Sequence, residues 1–109
     1  MALDFHISSS EKEFQKGNKE WKYGIELKEH ELLIGRRRKD FEQGAQTRKI
    51  TSFFDDATFY GNEIKVFIQE AEKIKENISN EPERTEIDKI ISVFKEASEF
   101  NRFVFVLCD

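Results

Sequence analysis

The stretch NEIKVFIQEAEKIKENI, residues 62–78, decides the fold because its apolar side chains recur at the period of an α-helix. Such a helix has one apolar face that must pack against another element of the chain. Asn62 is predicted to cap the helix, and Pro82 to end it, since proline cannot continue a helix. The apolar positions are Ile64, Phe67, Ile68, Ala71, Ile74 and Ile78.

A second amphipathic helix is predicted directly after the first. Pro82 suits the first turn of this helix. Thr85 and Asp88 have the spacing of a capping-box variant, which would fix its start. Its apolar face repeats the helical spacing with Ile87, Ile90, Ile91, Phe94 and Ala97.

The N-terminal segment alternates apolar and polar residues, which predicts a β-hairpin. Leu3, Phe5 and Ile7 form the buried side of a first strand, and His6 falls on its opposite, exposed side. Residues 16–19 supply a turn, since Gly and Asn tolerate positive φ. The buried side of the second strand is predicted to hold Trp21, Tyr23, Ile25 and Leu27.

The middle of the chain is less regular. Leu32, Leu33 and Ile34 fit either a short helix that ends at Gly35 or a third strand, and we favour the helix. Residues 40–48 are polar and contain Gly44, which predicts a loop, and residues 49–54 can form another turn of helix.

Phe103 to Leu107 form an unbroken apolar run, which predicts a central strand covered on both faces. We therefore predict a single α+β domain over residues 1–109. Its small, mostly antiparallel sheet contains the N-terminal hairpin and the C-terminal strand, and it packs against two amphipathic helices.

The charges are unevenly distributed along the 109 residues, whose formal net charge is −4. Residues 1–50 hold 11 basic and 9 acidic side chains, whereas residues 51–109 hold 7 and 13. This excess of acid in the second half favours a basic partner over nucleic acid. Cys108 is the only cysteine, and we find no signal peptide or membrane-spanning run, so we expect a cytoplasmic protein.

The acidic excess suggests a partner-binding edge. Two carboxylates lie between aromatic residues in TSFFDDATFYGNEI, residues 51–64, and others follow on the predicted helix. Such an edge would select a positively charged protein, with aromatic side chains as anchors. The candidate partner-binding residues are Asp55, Asp56, Phe59, Tyr60, Glu63 and Glu70.

This sequence contains no recognisable catalytic, metal-binding or phosphate-binding motif. Asp55 and Asp56 do not have EF-hand spacing, and His6, His30 and Cys108 have no metal-ligand spacing. There is no nucleophile elbow and no glycine-rich phosphate loop. We therefore expect no enzymatic activity, no cofactor and no metal.

A cluster of basic residues suggests an alternative function for the chain. Arg36, Arg37 and Arg38, followed by Lys39, could contact phosphates and make the chain a small regulatory or nucleic-acid-associated binding domain. The same arginines would become the interface if the partner were acidic.

The chain resembles the small immunity proteins of bacterial polymorphic-toxin and contact-dependent growth inhibition systems. The resemblance lies in the opening LDF, in ELKEHELLI, in RKITSFFDDATFYGNEIKVFIQEAEKI and in the hydrophobic final strand that ends in CD. It implies a non-catalytic protein that binds the C-terminal domain of one cognate toxin, commonly a nuclease, and covers its active site or an adjacent surface. The resemblance transfers no interface residues, so those above rest on charge and expected exposure.

Overall fold

The computed structural model describes residues 2–108. Within them, four strands form one antiparallel sheet: β1 (Ala2–Ser8), β2 (Glu20–Glu26), β3 (Ala57–Phe59) and β4 (Phe103–Cys108). Their spatial order is β2-β1-β4-β3, which places β1 and β4 in the centre. The predicted α+β class, the hairpin and the central position of the C-terminal strand are confirmed.

Helices and helical turns lie between the strands, joined by loops. They are α1 (Glu11–Gln15), α2 (Leu27–His30) continuing into a π-helical turn (Glu31–Gly35), α3 (Arg38–Gln43), a 3₁₀ turn (Thr47–Ile50), α4 (Asn62–Glu76) and α5 (Glu81–Glu99). Between residues 2 and 108, no helix has both the length and the apolar character needed to cross a bilayer.

The core lies between α4, α5 and one face of the sheet. Phe67 of α4 stacks on Phe94 of α5, with ring centroids 3.8 Å apart and planes 10° apart. Phe59 of β3 meets both rings edge-on, and Phe5 of β1 meets Phe94 edge-on. These aromatic contacts join both predicted amphipathic helices to the sheet and add to the free energy of apolar burial.

Helix α1 covers part of the other face of the sheet. Its Phe14 stacks on Phe105 of β4 at 4.1 Å between centroids and meets the ring of His6 edge-on. His6 is therefore only 9% exposed, and the prediction of an exposed histidine is wrong. The reason is α1, which the sequence analysis did not predict.

A register shift between Phe5 and His6 changes the hairpin. Tyr23 pairs with Phe5, but Trp21 pairs with His6 on the other face, where its indole Nε1 donates to Asp4 at 2.9 Å. Trp21 is 57% exposed as a result, so its predicted inward position is wrong. A bulge shifts every side chain beyond it to the opposite face of the sheet.

The segment between β2 and β3 is more helical than predicted. Residues 32–34 are helical, as favoured, and Leu27 begins α2 with its side chain exposed. Residues 40–48 are not a loop, because they include most of α3, whose Phe41 is buried in the core. The helical turn expected over residues 49–54 begins earlier, at Thr47, and ends at Ile50.

Both long helices begin differently from the predicted caps. Gly61, at φ +50°, precedes α4, and Asn62 is its first residue rather than its cap. The cap of α5 is Asn80, whose side chain accepts from the backbone N–H of Glu83 at 3.3 Å. Thr85 consequently lies inside α5, so the Thr85–Asp88 capping box is wrong.

Candidate partner-binding surface

The loop of residues 51–56, between the 3₁₀ turn and β3, directs two adjacent phenylalanines in opposite directions. Phe53 is 3% exposed and lies edge-on to the ring of His30, at 5.4 Å between centroids. Phe54 is 63% exposed, although its ring contacts that of Phe53. The buried ring therefore anchors the loop and holds the second ring outside the core.

Asp55 and Asp56 follow directly and are both exposed. The Oδ1 atom of Asp56 accepts from the backbone N–H of Cys108 at 2.9 Å, which ties the loop to the end of β4. Within residues 2–108, Asp55 makes no hydrogen bond or ion pair. Phe54, Asp55 and Asp56 thus form one exposed patch, which we call the FDD loop.

An open groove of about 560 Å³ lies beside the FDD loop. Both signs of charge line this groove, because Arg48 and Lys49 face the two aspartates across it. The ammonium of Lys49 is already engaged, since it donates to the backbone carbonyl of Thr58 at 2.7 Å and lies 3.6 Å from the carboxylate of Glu63. In the described part of the chain, neither Arg48 nor Asp55 forms an ion pair, so the groove presents unpaired charge of both signs.

Phe59 is not an exposed anchor, contrary to the prediction. It is fully buried because β3 places its side chain on the inner face of the sheet, opposite Val104. Tyr60 is half-buried on the outer side, where its ring meets Phe103 and Phe105 edge-on. Of the two predicted aromatic anchors, only Tyr60 keeps part of its surface open.

Glu63 supports the start of α4. Its Oε1 accepts from the backbone N–H of Tyr60 at 2.9 Å and lies 3.6 Å from Nζ of Lys49. This carboxylate gives an acceptor to the N–H of the residue just before the helix cap, Gly61, and so fixes the entry of the chain into α4. Glu63 thus has a structural role in addition to any contact with a partner.

Glu70 is a structural residue as well. Its carboxylate accepts hydrogen bonds from three consecutive backbone N–H groups, those of Ala45, Gln46 and Thr47, at 2.8–3.0 Å. Gly44 permits this close approach, because a Cβ there would lie 2.6 Å from the Glu70 carboxylate. The four predicted acids therefore do not form one free edge: only Asp55 and Asp56 belong to the FDD loop.

The arginine cluster is largely engaged within the protein. Arg37 donates to the carboxylate of Glu83 at 2.8 Å, and Arg36 lies 3.7 Å from the same group. Arg38 forms a weak pair with Glu42 at 3.5 Å. Since Glu83 is nearly buried, the Arg37 pair ties the segment before α3 to the first turn of α5.

The buried histidines have no metal-binding geometry. Nε2 of His30 donates to the backbone carbonyl of Ile50 at 2.9 Å, and burial lowers the pKa of this ring. Burial, together with the nearby charge of Lys19, also lowers the pKa of His6. In the described part of the chain, no three His, Cys, Asp or Glu residues form a group able to hold a metal ion.

Sequence reasoning missed Phe54 as a candidate contact residue. The sequence held no simple signal for it, because Phe53 and Phe54 lie in a turn, where side chains do not alternate as they do along a strand. Comparison with known proteins adds no further candidate: no protein family, curated protein or solved structure was found that matches this chain.

Proposed function

We propose that this chain is an immunity protein, which binds and neutralises a cognate bacterial toxin domain in the cytoplasm without catalysis of its own. The observation that supports this proposal is the FDD loop, where a 63% exposed phenylalanine stands beside two exposed carboxylates. Aromatic side chains are enriched at protein interfaces, and exposed charges there select a partner of opposite charge.

A nuclease is the class of toxin that this surface suits best. Nuclease active sites attract phosphate through basic side chains, and carboxylates such as Asp55 and Asp56 can pair with those side chains. Phe54 would supply apolar contact area at the centre of the interface. The toxin would then be inhibited by coverage of its active site or of an adjacent surface.

The alternative nucleic-acid function has weaker support. Arg37, at the centre of the basic cluster, is held by Glu83 inside the protein and is 20% exposed. Arg36 and Arg38 keep 64% and 51% of their side chains exposed, and Lys39 is exposed as well. Three exposed basic side chains neutralise few phosphates, and affinity for nucleic acid scales with that number.

Co-expression tests the proposed function. The proposal predicts that a large secreted protein is encoded immediately upstream of this gene, and the C-terminal domain of that protein is to be expressed in bacteria with and without this chain. We expect that the domain stops growth, that the chain restores growth, and that the two proteins co-purify. An unrelated acidic domain of the same net charge is the control. Growth arrest that the chain does not relieve would contradict the proposal.

A further inference from the structure

The FDD loop is attached to the rest of the protein at both ends, and His30 of α2 makes the first attachment. The ring of His30 is 1% exposed, and its Nε2 donates to the backbone carbonyl of Ile50, the last residue of the 3₁₀ turn, at 2.9 Å. The same ring lies edge-on to Phe53, whose own ring contacts that of Phe54. One buried histidine therefore determines where the chain enters the FDD loop.

The second attachment lies at the other end of the loop and does not involve His30. There the carboxylate of Asp56 accepts from the backbone N–H of Cys108 at 2.9 Å. The next residue, Ala57, begins β3 and pairs with Val106 of β4. If the contacts of His30 were lost, the chain from Asp56 onward would still be attached to the sheet, so the change would be local.

The surroundings of His30 suit the neutral ring. Since Nε2 carries the proton that is donated to Ile50, Nδ1 is the nitrogen that would bind a second proton. Nδ1 is buried and has no hydrogen-bond partner among residues 2–108. A proton bound there would create a buried cation without an acceptor, which is strongly unfavourable.

The elements around the ring do not compensate such a cation. Burial is the largest effect on the pKa of His30 and lowers it; Glu31, in the same helical segment, raises it, and Arg38 of α3 lowers it. Arg38 also donates from Nη2 to the backbone carbonyl of Thr51 at 3.4 Å, so its positive charge lies at the entry to the loop. The 3₁₀ turn contributes a carbonyl to the ring, and the loop contributes the uncharged ring of Phe53.

We propose that His30 is a positioning residue of the FDD loop: the neutral ring holds Phe53 in the core and Phe54 outside it, and the protonated ring leaves its site and frees the loop. A loop that has lost its fixed conformation binds a partner more weakly, because binding must then order it. Affinity for the partner therefore falls at acidic pH. Only the use of the loop as a binding surface rests on the proposed function, since its release can be measured on this protein alone.

NMR spectroscopy of the isotopically labelled protein tests the proposal between about pH 7.5 and 4.5, a range that spans the titration of a histidine. The carbon-bound protons of the His30 ring report its protonation, and backbone order parameters are measured for residues 52–56. We expect these order parameters to fall from about 0.85, the value of rigid backbone, to below about 0.6. The midpoint of this fall should coincide with that of the His30 titration, whereas Phe5 and Val104 in the central strands should remain rigid.

His30→Gln is the matched variant, because the amide of glutamine keeps an N–H donor for the carbonyl of Ile50 but does not become charged. We expect residues 52–56 of this variant to stay rigid over the whole pH range. His6→Gln, at the other buried histidine, is the control. It should keep the pH dependence of the unsubstituted protein.

Three results would overturn this inference. They are a loop that stays rigid after the His30 ring has become protonated, a pH-dependent loop in folded His30→Gln, and loss of the Val104 signal together with those of the loop, as in global unfolding. If His30→Gln does not fold, the unsubstituted protein decides, and different midpoints for the ring and the loop overturn the inference. No toxin is present in this experiment, so its failure is distinct from failure of the growth test.

Discussion

The carboxylate of Glu70 accepts a hydrogen bond of 3.0 Å from the backbone N–H of Thr47, and so joins α4 to the start of the 3₁₀ turn. The same group also binds the two preceding N–H groups. Hydrogen bonds to a charged group are stronger than neutral ones, and backbone donors that lose their partner remain unpaired. Glu70 therefore stabilises the fold at a position where charge alone suggested a binding residue.

Glu70→Ala should lower the free energy of unfolding by about 2 kcal/mol, because three backbone donors lose their acceptor. Urea denaturation measures this change. Glu72→Ala is the matched control on the same helix, since the Glu72 pair with Lys95 is 3.5 Å long and exposed. It should cost less than about 1 kcal/mol. Equal losses in both variants would argue against the structural role of Glu70.

Phe54→Ala should weaken binding to the cognate toxin domain by more than about 2 kcal/mol, the scale of a central aromatic contact residue, and should leave stability nearly unchanged. Phe53→Ala should instead destabilise the fold by about 3 kcal/mol, because this ring is buried. Calorimetric titration and denaturation separate the two effects. If a folded Phe54→Ala protein bound the toxin with full affinity, the prediction that the FDD loop forms part of the interface would be wrong.

Lowering the pH should destabilise the protein through His6 and His30. Burial lowers the pKa of both rings below the ordinary 6.5, so the unfolded state binds protons first as the pH falls through that value. Stability is therefore lost from about pH 6.5 downward until the folded-state pKa values are reached, by at most about 1.4 kcal/mol per pH unit for each histidine.

Urea denaturation between about pH 7.5 and 5.5 measures this histidine contribution, and the double variant His6→Gln/His30→Gln should reduce the slope. Glu86 has the opposite effect on the pH dependence of stability: burial raises its pKa, so the folded state binds its proton first and gains stability as the pH falls. Its contribution is common to both proteins and cancels in the comparison. Identical slopes would show that these rings do not titrate differently in the two states.

Glu83→Gln should destabilise the protein by about 2 kcal/mol, because Arg37 would lose a nearly buried anionic partner. Arg37 also holds the pKa of the Glu83 carboxyl below its usual value, so the stability from this pair is lost only as the pH falls through that lowered pKa. Glu42→Gln breaks the exposed pair with Arg38 and serves as the control in thermal denaturation. If both variants lost a similarly small amount of stability, the nearly buried Arg37–Glu83 pair would contribute no more than the exposed Arg38–Glu42 pair.

The elements predicted correctly are those with a strong local pattern. The two long helices could be predicted from their apolar faces, which contain Phe67 and Phe94, because the helical periodicity extends over several turns. Helix α3 could not be found this way, since Phe41 is its only buried residue and packing rather than pattern holds it. Ser10 did carry a usable signal, because it stands in a Ser-x-x-Glu sequence and caps α1 by accepting from the N–H of Glu13.

The candidate site was harder to predict because the roles of its acids depend on residues distant in the chain. Glu70 and Asp55 look alike in sequence, yet one binds a loop 23–25 residues away and the other makes no hydrogen bond or ion pair within residues 2–108. Phe59 was misplaced because β3 is three residues long, too short to show an alternating pattern. Only the assembled sheet distinguishes a ring in the core from a ring on the surface.

The pairing of β1 with β4 has a consequence for synthesis of the protein. Leu3 lies opposite Cys108, so the centre of the sheet joins segments made at the start and at the end of the described chain. Contacts this distant in sequence form slowly, because a long loop must close before they contribute. Until β4 has left the ribosome, β1 and β3 lack the strand that lies between them, and we expect nascent chains without β4 to remain sensitive to proteases.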